Sequence, residues 1–270
     1  MPNDAIIRLI DLRKSFGPVP VLRGVSLDIL RGQTTVVLGP SGCGKTVLLK
    51  HVIGLLQPDT GQVLFDGQDL AALGEKQLCR VRTRFGFLFQ GGALFDSMTA
   101  IDNVMFPLIE HARLPRPEIR QRALECLVMV GLANFAAHMP ADLSGGQRKR
   151  VALARAIALR PEVILYDEPT TGLDPIRADV INELIIKLRR ELNVTSLVVT
   201  HDMASAFKVG DRLIMMHEGK VLADAGKDQF ARVDQPIVQR FIRGQAGEEE
   251  LASLRDSDFG EPPEAGLPEE

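Results

Sequence analysis

Gly39-Pro40-Ser41-Gly42-Cys43-Gly44-Lys45-Thr46 satisfies the pattern G-x-x-x-x-G-K-[ST] at every fixed position, and the rest of the chain reads as apparatus for using it. A polyphosphate needs several donors converging on one small volume. Gly42 and Gly44 let the backbone curl until successive N–H groups point inward. Lys45 adds a point charge, and the hydroxyl of Thr46 suits Mg²⁺. The flanks agree with this reading. Thr34-Thr35-Val36-Val37-Leu38 is an apolar, β-branched run that predicts a buried strand, and residues 47–56 predict a buried helix that stops before Pro58. A helix opened by Lys45 aims the positive end of its dipole at the phosphates.

The chain has 270 residues, 45% of them hydrophobic, enough to bury a large core. No apolar run approaches the roughly 18 residues of a membrane span, and the N-terminus lacks the basic-then-apolar layout of a signal peptide. The expectation is a cytosolic protein that meets a membrane only through partners. Cys43, Cys79 and Cys126 are too few and too scattered for a disulfide framework or a metal cluster. Cys43 lies inside the cradle, where N–H dipoles could lower its pKa and make it oxidation-sensitive. The favoured reading is plainer: a small residue filling space. The net charge is −3, yet residues 247–270 carry nine acidic residues against Arg255 alone, which leaves the remainder basic. Residues 1–246 therefore read as the folded domain, and 247–270 as an acidic, Pro-rich flexible tail.

Residues 6–30 alternate short apolar and polar pieces around Gly17-Pro18, predicting two or three antiparallel strands. Phe16 sits just before that turn. Aromatic residues are usually core, but beside a phosphate cradle Phe16 is placed to stack on an adenine ring, a contact worth roughly 1–3 kcal/mol in base-stacking systems. Residues 62–68 predict a strand entering an Asp66-Gly67 turn. Residues 86–89 form a short apolar strand that ends in Gln90, and the stretch from there to Val104 reads as irregular. Residues 117–130 predict a helix with Ile119, Ala123, Leu127 and Val130 on one stripe and Gly131 as its stop.

A second anion site is written into Leu143-Ser144-Gly145-Gly146-Gln147. Ser144 is placed as an N-cap, and two glycines leave the first-turn N–H groups uncovered, for which packing offers no purpose. Arg148-Lys149-Arg150, with no interleaved aromatics, reads as a solvated basic face and not as a nucleic-acid patch. Val163-Ile164-Leu165-Tyr166 then delivers Asp167 and Glu168 to the carboxyl end of a strand, where ligands gather in open α/β sheets. Asp167 suits an indirect Mg²⁺ ligand, and Glu168 suits a general base or an orienter of water. The strand 196–200 ends likewise in His201, placed for the γ-phosphate or the attacking water. A hairpin around Glu218-Gly219 follows, and residues 229–243 predict one more helix.

Over residues 6 to about 243 the chain closely resembles the ATP-binding subunit of ABC transporters. The family's elements occur in order: Walker A at 39–46, the Q-loop glutamine Gln90, the signature 143–147, Walker B at 163–167 with Glu168, the D-loop Gly172-Leu173-Asp174, and the switch histidine His201. The resemblance implies an α/β fold: a P-loop NTPase core, an antiparallel β subdomain, and a helical signature subdomain at about 91–160. It further implies ATP and Mg²⁺ as ligands, with Thr46, Gln90 and Asp167 toward the metal and Glu168, His201 and Gln90 as the catalytic set. Phe16, the whole cradle from Gly39 to Thr46, and Ser144, Gly145, Gly146, Gln147 and Asp174 fall toward the nucleotide. Two copies would face each other head to tail, each ATP lying between one copy's cradle and the other's signature.

The wording of residues 89–99 and 166–176 narrows the resemblance to the ATPases of Mla-type phospholipid transporters. That implies a permease docked in a groove around 91–104, an Mce-domain protein in the complex, and a place on the cytoplasmic face of the inner membrane. An importer of a small polar solute such as an amino acid shares every catalytic residue. A soluble ABC ATPase acting on DNA or the ribosome would carry an internal repeat or long heptads, and neither is present; nucleic acid is not expected as a partner.

Overall fold

The computed structural model describes residues 4–247, so residues 248–270, which hold the acidic excess, lie outside the described residues. The chain opens with β1 (Ala5–Phe16) and β2 (Val19–Leu30), then β3 (Thr34–Leu38), the cradle, and α1 (Lys45–Val52). Next come β4 (Thr60–Phe65), β5 (Gln68–Asp69), α2 (Glu75–Arg82) and β6 (Phe85–Leu88). Three helices follow, α3 (Ala100–His111), α4 (Arg116–Met129) and α5 (Gly145–Ala156), before β7 (Val163–Asp167), α6 (Pro175–Leu192) and β8 (Thr195–Thr200). The described chain closes with α7 (Met203–Val209), β9 (Arg212–His217), β10 (Lys220–Gly226), α8 (Lys227–Phe230) and α9 (Pro236–Arg243).

Two sheets result. β2-β1-β4-β5 is antiparallel, while β10-β9-β3-β8-β7-β6 is parallel except for β10 at one edge. The runs 34–38, 163–167 and 195–200 are buried at every residue, as strands covered on both faces must be. Strand alternation divides them between two cores. Val37, Val163, Leu165, Leu197 and Val199 pack toward α1 and the antiparallel sheet. Val36, Leu38, Ile164, Tyr166 and Val198 pack toward α3 to α7.

The parallel register also fixes the site. Leu38 pairs with Thr200, and Asp167 with Val199, so β3, β7 and β8 finish side by side. The cradle, Glu168 and His201 therefore leave one edge together. Both predicted hairpin turns are present, with Asp66 and Gly67 at φ 52° and 78° and Glu218 and Gly219 at 47° and 75°, the paired positive values that let two-residue loops follow strand twist.

Three expectations are corrected. The first helix ends at Val52, not Leu56, because Gly54 at φ 68° turns the chain and the N–H groups of Leu55 and Leu56 fold back onto the Lys50 carbonyl. The stretch up to Val104 is not irregular throughout, since α3 begins at Ala100: Thr99 accepts from the Asp102 N–H and caps it. The helix expected over 229–243 is two helices, because Pro236 lacks an N–H and disfavours helical geometry at Gln235.

Candidate functional site

At the shared strand edge lies a cavity of about 280 Å³ bounded by Ser41, Gly44, Lys45, Gln90, Glu168 and His201, among others. Backbone geometry builds its floor. Gly42 and Gly44 adopt φ 81° and 102°, and a Cβ at Gly39 (φ 151°) would meet the Met216 carbonyl oxygen at 2.3 Å and Cys43 Sγ at 2.8 Å. Only glycine fits there. Cys43 is buried, and burial pushes its thiol up, which favours the space-filling reading over that of an activated cysteine.

Lys45 is nearly fully buried, its ammonium donating to the carbonyls of Gly39 (2.7 Å) and Pro40 (3.0 Å). Its Nζ is 3.9 Å from Glu168 Oε1. On the other side, Glu168 Oε2 is held by Thr171 Oγ1, which donates at 3.1 Å, and by His201 Nδ1 at 2.9 Å. Glu168 itself takes the left-handed backbone, φ 49°, a conformation costing of order 1–2 kcal/mol for a residue with a Cβ. It is fixed by its N–H on the Val199 carbonyl at 2.9 Å. The carboxylate thus sits with one oxygen toward a cation and the other clamped by two side chains, aimed into the cavity.

Thr46 donates its hydroxyl to Asp167 Oδ1 at 3.1 Å. Burial pushes the Asp167 carboxyl above its ordinary range; the Thr46 hydrogen bond opposes that shift, and the Glu168 charge adds to it. Thr46 and Gln90 line the cavity and Asp167 is hydrogen-bonded to Thr46; hydroxyl, amide and carboxylate oxygens are the donor types that suit a hard divalent cation completing its shell with water and phosphate oxygens.

Other expected residues lie elsewhere. Phe16 is half-exposed on the β1–β2 hairpin, off the cavity wall, with Lys14 Nζ 5.8 Å from its ring centre; Val21 of the same hairpin reaches the wall instead. Val21 was not legible, because strand pairing alone brings it there. Ser144 caps α5 as expected: its Oγ accepts from the Gln147 N–H at 3.3 Å, and the Gln147 side chain accepts the Ser144 N–H at 2.8 Å. Gln147 therefore serves the cap, which leaves the Gly145 and Gly146 amides as first-turn donors without intrahelical acceptors. Asp174 caps α6 through the Arg177 N–H at 3.0 Å, and Arg177 lies against Gly146. Neither cap borders the 280 Å³ cavity of its own chain.

The basic triplet is corrected as well. Lys149 is buried, with its ammonium on the carbonyls of Glu168, Pro169 and Thr171, while Arg148 reaches the Leu143 carbonyl and Arg150 the Val130 carbonyl. Helical spacing held the signal, because Lys149 falls three residues after Gly146 and four before Leu153, on the buried stripe of α5. A second, apolar cavity of about 320 Å³ is walled by Phe87, Phe89, Phe95, Phe106 and Pro107 with Arg155. It overlaps the groove expected at 91–104 only through Ala93 and Phe95, drawing the rest from β6 and Phe89 just after it, from α3, and from the end of α5 with Leu159 beyond it.

Against known proteins, the ABC transporter family profile matches residues 22–171. The intermembrane phospholipid transport system ATP-binding protein MlaF of Haemophilus influenzae is 43% identical over 90% of this chain and 92% of its own length. The probable ribonucleotide transport ATP-binding protein mkl of Mycobacterium leprae is 42% identical over 90% of this chain and 70% of its own. Among solved structures, the ATP-binding cassette MJ0796, dimeric in a post-hydrolysis state bound to ADP and Pi, superposes with a TM-score of 0.76. It is 38% identical, over 82% of this chain and 98% of that one.

Proposed function

This chain belongs to the ABC transporter family as one of its ATP-hydrolysing subunits, and from that premise we propose that two copies close head to tail around two ATP molecules and drive a membrane permease for phospholipid. The observation that carries the two-copy reading is the separation of the half-sites. Cradle, Glu168 and His201 share one cavity, whereas the capped amides of Gly145 and Gly146 border none of it. A second chain brings the missing half to each.

In this reading residues 1–246 form the ATP-binding domain, its helical part spans about 91–160, and 247–270 are an accessory tail. The cradle amides and Lys45 bind the β- and γ-phosphates. Glu168 orients water for in-line attack on the γ-phosphate and accepts the proton the water gives up as its oxygen bonds to phosphorus and the ADP oxygen leaves, while His201 and Thr171 hold the carboxylate in place. Thr46, Asp167 and Gln90 would hold Mg²⁺, which when bound supplies positive charge against the phosphate oxygens. Phe16, half-exposed on its hairpin, would stack on the adenine.

The apolar cavity beside Phe87 and Phe95 takes a helix of the permease. Arg155 of α5 supports its rim by donating to the Gly92 and Ala93 carbonyls, both at 2.8 Å, so a push there reaches the signature helix. No helix among the described residues is long and apolar enough to cross a membrane. A permease at the inner membrane's cytoplasmic face would then anchor the subunit. The phospholipid cargo is supported by the likeness to MlaF, named for an intermembrane phospholipid transport system; an Mce-domain partner is what the wording of residues 89–99 and 166–176 implies.

The test is to tag the Glu168→Gln variant in its native organism, extract membranes gently, and identify what co-purifies. A permease with an Mce-domain protein and bound phospholipid is the expected result. A permease with a solute-binding protein, or with bound nucleotide cargo, would replace the lipid reading.

A further inference from the structure

Lys149 has a position that ATP binding and hydrolysis as described above do not use. It is 7% exposed, and its three N–H donors meet the carbonyls of Thr171 (2.7 Å), Pro169 (2.8 Å) and Glu168 (3.4 Å). All three acceptors lie in one loop, residues 168–171, which carries Glu168 in its left-handed backbone and returns Thr171 Oγ1 to the Glu168 carboxylate. Burial alone pulls the Lys149 ammonium down, and the Glu168 charge opposes that pull. A methionine would fill the same channel without that desolvation cost, so the ammonium is retained for the bonds it makes.

The start of α5, one turn away, makes the arrangement informative. Its first turn, Ser144 to Gly146, is the half-site offered to the neighbouring copy's ATP, and Lys149 is one turn further along the same rigid helix. We infer that Lys149 is a positioning residue that ties the signature helix to the loop of Glu168, so that ATP engaged by one copy's signature sets the catalytic carboxylate of that same copy, which serves the opposite ATP. The inference rests on the head-to-tail reading above. It gives the two sites a physical link: a shift of α5 when its first turn meets phosphate moves three carbonyls together with the carboxylate they flank. Displacements of about 1 Å at a reacting group cost on the order of 10²-fold in rate.

The test compares full-length wild type, Lys149→Met and Lys149→Arg for ATP affinity, kcat and the Hill coefficient of hydrolysis, and repeats Lys149→Met in the Glu168→Gln background for ATP-driven dimerisation. Lys149→Met should bind ATP within about twofold of wild type and still dimerise, while kcat falls about 10²-fold and the Hill coefficient drops from near 2 toward 1. Lys149→Arg, which keeps charge and donors, should recover most of both. A folded Lys149→Met with wild-type kcat and Hill coefficient overturns the inference. So does a loss shared equally by both variants and traced to weaker ATP binding or unfolding, which marks a purely structural lysine. Should Glu168→Gln itself fail to dimerise with ATP, the head-to-tail reading fails instead. A selective kcat loss in Lys149→Met would then still place Lys149 behind Glu168 within one chain.

Discussion

The cradle and the signature turn are both built to hold an anion, yet they are finished to different degrees. Around the cradle, one chain supplies the glycine turns, a buried lysine 3.9 Å from a carboxylate, and a histidine at 2.9 Å on that carboxylate's far oxygen. At the signature turn, the capping box of Ser144 and Gln147 secures the helix start, and Gly145 and Gly146 do not border the cradle's cavity. The first region carries the phosphate cradle and the catalytic groups. The second is complete only as a surface, which is the contrast expected if each site takes its other half from a second copy.

Substitutions that separate the two regions test this contrast. The largest effect belongs to Glu168→Gln, which keeps the side chain's shape but removes its charge. Hydrolysis should fall about 10²–10⁴-fold, as for loss of a general base, while ATP affinity stays close to wild type. Steady-state kinetics beside equilibrium binding would show the split, and hydrolysis near the wild-type rate would remove Glu168 from its role. Next is Gly145→Asp, which sets a carboxylate among the first-turn amides. ATP-driven dimerisation should weaken by at least about 10²-fold through like charge against phosphate, with no change in the affinity of a single chain for ATP. Sedimentation at graded protein concentration reads the first quantity and fluorescent-nucleotide titration the second. If the two fell together, the regions would not be separable. The smallest effect is that of Phe16→Ala, where losing a stack worth roughly 1–3 kcal/mol weakens ATP binding about 5- to 150-fold and leaves kcat unchanged. An unaltered affinity would show that the hairpin contributes through Val21 at the cavity wall and not through the ring.

How much was legible follows the same division. Patterns that are local in the chain could be read directly: the glycine spacing at 39–46, the apolar run 163–166 and the β-branched strand 195–200, and the N-cap at Ser144 all take their meaning from neighbours a few residues away. The chemistry carried on strand ends was legible too, because burial on both faces implies a parallel sheet and its carboxyl edge. What escaped depends on contacts across the fold. Thr171 clamps Glu168 only because Glu168 turns left-handed, and nothing in a glutamate announces that. Lys149 hid in a basic run whose neighbours also fold back onto backbone carbonyls, as with Arg150 on Val130. The start of α3 was obscured by Pro107 inside the helix, although Thr99 and Asp102 spelled out its cap.

The most direct measurement of the two-copy claim mixes Lys45→Ala chains with Gly145→Asp chains, both carrying Glu168→Gln, and follows mass and bound ATP by light scattering with nucleotide quantification. Each variant alone lacks one half of both sites and should remain a single chain in ATP. In a mixed pair, the Gly145→Asp chain's intact cradle meets the Lys45→Ala chain's intact signature, so the mixture should yield an ATP-dependent dimer holding a single ATP. A mixture that stays as single chains, or either variant dimerising on its own as well as the parent does, would contradict a site divided between two copies.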